Sequence, residues 1–157
     1  MDDVQKQVEA LLSEAEAVCR REGTQFTRLR RLILETLARS PGPVKAYDLL
    51  ESLKEKGRRL TPSSVYRTLE FFIRKGLVHR VSSLNSYVAC ADGGSLHNPV
   101  LLVCPDCQAI TEINDEALNY SIFSRLNRLG FSARMASVEV TGLCEKCQKE
   151  PSEKGAD

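Results

Sequence analysis

The chain has 157 residues, 42% of them hydrophobic and 6% aromatic, with no Trp. That is enough apolar material for one compact domain or two small ones, and no run approaches the ~20 apolar residues that cross a bilayer. The net charge of +1 hides an asymmetry: residues 1–84 carry 16 Lys/Arg against 11 Asp/Glu, and residues 85–157 carry 6 against 10, so a polyanionic partner suits the first half only.

The opening segment, MDDVQKQVEALL, is acidic and lacks the basic and apolar regions of a signal peptide. The chain is therefore expected in the cytoplasm, without a membrane partner. Thiols stay reduced there, and paired cysteines hold metal more often than they form disulfides. Val4, Val8, Leu11, Leu12, Ala15, Val18 and Cys19 recur at helical spacing and predict a first helix that ends at Gly23. Thr27 is the expected N-cap of a second helix, RLRRLILETLAR. After the SPGP loop, AYDLLESLKEKG reads as a third helix stopped by Gly57. TPSSVYRTLEFFIRKG opens with Thr61 as cap and Pro62 at the first helical position, and closes on Gly76. LVHRVSSLNSYVAC then gives two strand-like runs around a polar turn.

Three or four helices followed by a hairpin make a winged-helix pattern, so residues 1–84 are read as a DNA-binding domain. Residues 85–95 form the expected hinge, centred on ADGGS (Ala91 to Ser95). The second half, 96–147, predicts strands in PVLLVC, AITEI and FSARMASVEVTG around an amphipathic helix, DEALNYSIFSRLNRLG. The fold class is thus α+β in two domains, with a polar, disordered tail over 148–157.

On the fourth helix a 100° step per residue puts Val65, Leu69, Phe72 and Ile73 on one face and Ser63, Arg67 and Arg74 opposite, with Tyr66 on the flank. A helix that enters the major groove needs this division. Arg67 suits guanine or phosphate, and Tyr66 suits a thymine methyl or a phosphate. With Ser64 beside them, Ser63, Tyr66 and Arg67 make up the candidate DNA-contacting set. The basic clusters RLRR and Arg58–Arg59 add positive charge to this half.

The six cysteines include two C-x-x-C pairs, Cys104/Cys107 and Cys144/Cys147. Four thiolates from two such knuckles suit a closed tetrahedral structural zinc site, and a small β-rich unit with a thin core gains from such a staple. Cys19 fits a small buried hydrophobe on the first helix. His79, Cys90 and His97 remain: one on each hairpin strand or its end, and one just past the hinge. Together they offer three soft or borderline donors at the joint between the halves. A fourth donor is expected from an acid, with Glu112 the best placed and Asp92, Asp115 and Glu139 as competitors.

A nucleobase deaminase, the nearest enzyme reading, needs His-x-Glu with Pro-Cys-x-x-Cys and an open coordination position. Here Pro105 lies inside the knuckle, and His79 and His97 are followed two residues on by Val81 and Pro99. A zinc ribbon serving only as an interaction module has no need of the hinge donors. The expected protein is therefore a binding regulator and not an enzyme.

In the combination of QFTRLRRLILETL, TPSSVYRTLEFFIRKGLVHRV, NSYVAC, CPDCQAI and GLCEKC, the chain resembles the ferric uptake regulator family of metal-dependent repressors, from the first helix to Cys147. AYDLL and NSYVAC resemble most its zinc uptake branch. The resemblance implies structural zinc on Cys104, Cys107, Cys144 and Cys147, and regulatory zinc on His79, Cys90, His97 and Glu112. It implies DNA contacts from Tyr66 and Arg67, and a homodimer joined through the second half. The expected function is a zinc-responsive repressor of zinc-uptake and zinc-homeostasis genes, with two zinc ions per subunit, bound to a palindromic operator. Two departures stand out. Leu29 replaces the glutamine of a usual Thr-x-Gln-Arg start to the second helix, and the histidine-rich segment of iron-sensing members is reduced to SLHNP. With two histidines in the chain, an oxygen- and histidine-rich iron site is hard to assemble, whereas a Cys/His₂/Glu set suits tetrahedral zinc. The alternative is a repressor of the same family that senses iron, manganese, nickel or peroxide.

Overall fold

The computed structural model describes residues 2–55, 60–93 and 97–150. The chain divides into two compact units, Met1–Leu96 and His97–Asp157.

The first unit contains α1 (Asp2–Arg21), α2 (Arg28–Arg39), α3 (Ala46–Glu55), α4 (Pro62–Arg74), β1 (Val78–Val81) and β2 (Ser86–Ala89). Its helix starts follow their expected caps. The Thr27 hydroxyl accepts from Arg30 N, and the Thr61 hydroxyl accepts from Ser64 N with Pro62 at the first helical position. Each cap satisfies an N–H that the helix itself leaves without a partner. Gly23 and Gly76 take φ of +64° and +68° beyond the ends of α1 and α4, a conformation open to glycine at no steric cost. Val8, Leu11, Leu12, Ala15 and Cys19 of α1 pack with Ile33, Leu34, Leu37, Leu49, Leu53, Val65, Leu69, Phe72 and Val78 in one core. Val4 departs from the expected stripe and is 51% exposed.

β1 and β2 pair antiparallel, with Val78 opposite Ala89 and Val81 opposite Ser86. A 3₁₀ turn, Ser82–Leu84, joins them, and Asn85 takes the left-handed conformation (φ 47°) at its end. Val44 and Tyr87 exchange two 2.9 Å backbone bonds, which anchors the hairpin to the segment before α3. This is a winged helix, and the expected boundary at residue 84 cuts through its wing. Ser86–Ala89 bond to β1 and so belong to the first unit. Gly57, Arg58, Arg59, Gly94 and Ser95, invoked as helix stop, basic cluster and hinge, lie outside the described residues.

The second unit is α+β. Its sheet runs β4-β3-β5, from β3 (Val100–Val103), β4 (Ile110–Ile113) and β5 (Val138–Thr141), with α5 (Glu116–Arg128) between β4 and β5 and α6 (Glu145–Lys149) last. β3 and β4 are antiparallel, whereas β3 and β5 are parallel with Val103 beside Thr141. Asp115 caps α5, its carboxylate accepting from Leu118 N at 2.9 Å. The last strand is shorter than the alternation in FSARMASVEVTG predicts. Only Val138–Thr141 pair, and the segment before them is fixed instead by Asn98, whose side-chain oxygen accepts from Ala136 N at 3.1 Å. Gln148 and Lys149 belong to α6 and not to a disordered tail, because Gln148 N donates to Cys144 O at 2.9 Å. Residues 151–157 of that expected tail lie outside the described residues.

Candidate metal centre and DNA-reading face

The parallel pairing of β3 and β5 decides where the two cysteine knuckles meet. Both strands run in the same direction, so the segments that follow them emerge at the same end of the sheet. Cys104 follows β3 directly, and Gly142 N still bonds to Val103 O at 3.0 Å as β5 ends. Cys104 N donates to Ala109 O, and Gln108 N to Cys104 O, with Gln108 left-handed at φ 60°. The first knuckle is therefore a tight loop closed on its own backbone. Cys144 is the N-cap residue of α6, and Cys147 lies in the first turn of that helix.

The four sulfur atoms lie within 4.8 Å of one another, and Cys107 Sγ and Cys144 Sγ are 3.7 Å apart. In a tetrahedron with Zn–S bonds of ~2.3 Å the sulfurs are separated by about 3.8 Å, so the cage fits such an ion. Its thiols already differ in acidity. Backbone N–H groups of Cys107 and then Cys144 hold the Cys104 thiol down at about 6. The Cys144 thiol, burial and the remaining thiols push Cys147 up to about 12. Of the four thiols, Cys104 is the one these N–H groups favour as a thiolate.

The first unit places His79 and Cys90 together. Cys90 N bonds to Leu77 O at 2.9 Å, so Cys90 continues the β1–β2 ladder opposite Leu77. His79, two residues on, shares that face as a diagonal neighbour. A ring nitrogen of His79 and the Cys90 sulfur lie within 4.8 Å, and both residues are buried. The second unit places His97 against Glu112. His97 Nε2 and Glu112 Oε1 are 2.5 Å apart, and the side chains are 7% and 6% exposed. Two of the competing acids stand elsewhere: Asp115 caps α5 and Asp92 is exposed. Glu139 lies on β5, in the same cross-strand row as Leu101 and Glu112, and Glu112 is the one whose oxygen meets His97. Cys19 is buried in the helical core, as expected of a small hydrophobe.

On α4, Val65, Thr68, Leu69, Phe71 and Phe72 face the core. Tyr66 is 49% exposed, and Ser63 and Arg67 are exposed beside it. Ser64 is half-buried, and its hydroxyl turns back to donate to Thr61 O at 2.7 Å. Two arginines of the RLRR cluster also make contacts within the unit. The Arg30 guanidinium lies 3.6 Å from the centroid of the Phe71 ring, and Arg31 pairs with Glu16. One exposed residue of α4 that the sequence reading passes over is Glu70, three positions after Arg67.

A winged helix, followed by an α+β unit that carries a four-thiol cage, defines a two-domain winged-helix protein whose second unit has the donors to hold a metal ion. Residues 21–141 match the sequence profile of the Ferric uptake regulator family, and the chain belongs to that family. It is 33% identical over 138 residues to the zinc uptake regulation protein of Escherichia coli, a match covering 87% of this chain and 81% of the relative. The zinc uptake regulation protein of Mycobacterium tuberculosis is 27% identical over 129 residues, 80% of this chain and 96% of the relative. Among solved structures, a zinc uptake regulator complexed with zinc and DNA has a TM-score of 0.81 at 33% identity, covering 90% of this chain and 95% of that one. Holo XcZur has a TM-score of 0.77, also at 33% identity, covering 88% and 96%.

Proposed function

We propose that this family member is a zinc-responsive transcriptional repressor that controls zinc-uptake and zinc-homeostasis genes. It acts in the cytoplasm as a homodimer on palindromic operator DNA, as a regulator and not an enzyme, with two zinc ions per subunit. The observation that carries the reading is the company of the histidines. The chain has two, and each stands beside a further metal-type donor, His79 beside the Cys90 thiol and His97 beside the Glu112 carboxylate. A thiolate in such a set favours zinc over the harder manganese and ferrous ions. The similarity to zinc uptake regulators supports the same choice.

In this reading residues 1–93 read DNA and the second unit dimerises. Cys104, Cys107, Cys144 and Cys147 hold a permanent zinc, and His79, Cys90, His97 and Glu112 hold the regulatory one. Zinc supplies a fixed four-coordinate cross-link and no redox chemistry. His79 and Cys90 belong to the wing, and His97 and Glu112 to the second unit. When all four ligate one ion, the reader is tied to the dimer and the spacing of the two α4 helices is set across a palindrome. A 100-fold preference of the ion for that arrangement raises operator affinity by about 2.7 kcal/mol per site. Tyr66 and Arg67, with Ser63 and Ser64 at the start of α4, contact the DNA. The second unit exposes Tyr120, Leu129, Phe131 and Met135, apolar surface of the kind that a protein partner covers. No helix among the described residues is long and apolar enough to cross a membrane.

The test is metal content together with DNA binding. Two zinc ions per subunit are expected, one of them lost to mild chelation together with operator affinity. A chain that retains full operator affinity after that loss, or responds to ferrous iron as sensitively as to zinc, overturns the reading.

A further inference from the structure

The exposed face of α4 presents Ser63, Tyr66, Arg67, Glu70 and Arg74. Glu70 follows Tyr66 by four residues and Arg67 by three, so the three side chains are neighbours on the helix surface. Glu70 differs from the other glutamates of its unit. Glu9 accepts from Gln5, and Glu14, Glu16, Glu22, Glu35 and Glu51 pair with Arg21, Arg31, Lys75, Arg39 and Lys54. Of those whose side chains are described, Glu70 alone has neither a hydrogen bond nor an ion pair among the described residues. A carboxylate with no hydrogen bond or ion pair, its charge felt at Tyr87 on β2, therefore sits in the middle of the face that meets a polyanion.

Such a charge lowers affinity for every DNA sequence unless a donor meets it. The major groove offers two amino donors, N4 of cytosine and N6 of adenine. Adenine sets its N7 acceptor beside N6, and that lone pair repels a carboxylate, whereas cytosine has no acceptor next to N4. Arg67 has the complementary chemistry, since its fork matches O6 and N7 of guanine. Three residues of helix advance about 4.5 Å, close to the ~3.4 Å step between bases along one strand. Arg67 and Glu70 are thus spaced to address neighbouring base pairs.

We propose that Glu70 is a specificity-determining residue, whose carboxylate accepts a hydrogen bond from cytosine N4 in the major groove beside the base pair met by Arg67. The assignment rests on the reading of α4 as the helix that enters operator DNA.

The experiment compares the zinc-loaded full chain as wild type, Glu70→Gln and Glu70→Ala. Each selects from a randomised duplex library at fixed salt, and affinities are then measured on the selected duplex and its single-base variants. Wild type is expected to select cytosine at one position in each half-site and to bind about five- to 100-fold more weakly when that base is changed. Glu70→Gln is expected to prefer adenine there, because an amide matches N6 and N7 together. Glu70→Ala is expected to lose preference at that position alone. If both variants keep the wild-type base preferences and bind all duplexes more tightly, Glu70 is only a repulsive charge and the assignment fails while the repressor reading stands. A wild type that selects no sequence overturns the repressor reading and the role of Glu70 with it.

Discussion

Replacing Cys104 by serine tests whether the second unit is held by its thiol cage or by its core. Among its described residues the fully packed apolar side chains are Val100, Leu101 and Val103, with Cys104 and Cys147 beside them, and α5 contributes no buried residue. Three aliphatic side chains at about 1.5–3 kcal/mol each amount to about 5–9 kcal/mol. A structural zinc site contributes apparent binding energies of about 10–16 kcal/mol, expressed as folding energy. The cage therefore outweighs the core. Cys104→Ser removes one of the four thiols and leaves three ligands. The expected result is loss of amide protection across β3, β4 and β5 and loss of the dimer, with protection in α1–α4 retained. Hydrogen exchange by segment and size-exclusion chromatography read these two outcomes. Cys90→Ser is the control. Cys90 keeps its backbone bond to Leu77 O, and serine is smaller by little, so a folded dimer is expected that no longer gains operator affinity with zinc. Retained protection of the sheet in Cys104→Ser, or equal unfolding in both variants, refutes the reasoning.

Arg67→Ala is expected to lower operator affinity by about 1–3 kcal/mol while zinc content is unchanged. A base contact relaxes preference at one position, a phosphate contact weakens all duplexes and flattens the salt dependence, and unchanged binding removes Arg67 from the interface. Cys90→Asp, which exchanges a soft donor for a hard one, is expected to shift the response from zinc towards manganese or ferrous iron in anaerobic operator titrations, with the four-thiol cage still loaded. Proton release on zinc uptake reports the state of the empty cage. Cys104 is held at about 6, below the ordinary thiol value of 9.0, so a folded empty cage already carries one thiolate between those two values and releases about three protons per zinc there. An unfolded unit has four ordinary thiols and releases about four, as either state does below pH 6. Calorimetry in buffers of different ionisation enthalpy distinguishes the counts, and the same number at pH 5 and pH 8 contradicts a preformed Cys104 thiolate.

What was legible in the sequence was mostly local. Thr27, Thr61 and Pro62 announce helix starts because capping depends on a few adjacent residues. The period of Val65, Leu69 and Phe72 picks out the buried side of α4 for the same reason. The two C-x-x-C pairs are readable because metal chemistry restricts residue type as well as spacing. The pairing of strands is not local. Nothing in VEVT shows that it lies parallel to β3, and that choice is what brings the two knuckles to one end of the sheet. The hairpin is legible as two runs around a polar turn, but a boundary at residue 84 separates its strands, and the ladder from Val78–Ala89 to Val81–Ser86 assigns β2 to the first unit. Glu70 does not stand out in the sequence because a glutamate on a helix surface is unremarkable until the other described glutamates of its unit are seen to be paired and it is not.

The cage also sets an order of events for a chain leaving the ribosome. Cys107 and Cys144 are 37 residues apart in sequence, and α5 and β5 lie between them. Closing a loop of that length removes about 4 kcal/mol of conformational freedom from the unfolded chain in a chain-entropy treatment. The first knuckle alone supplies two ligands and cannot close a four-thiolate site, so capture of the ion waits for Cys147 to be synthesised. The central strand β3 pairs early with β4, but its parallel neighbour β5 is made just before Cys144. Completion of the second unit therefore depends on its last-made residues, whereas the winged helix, complete by Ala89, is free to fold first.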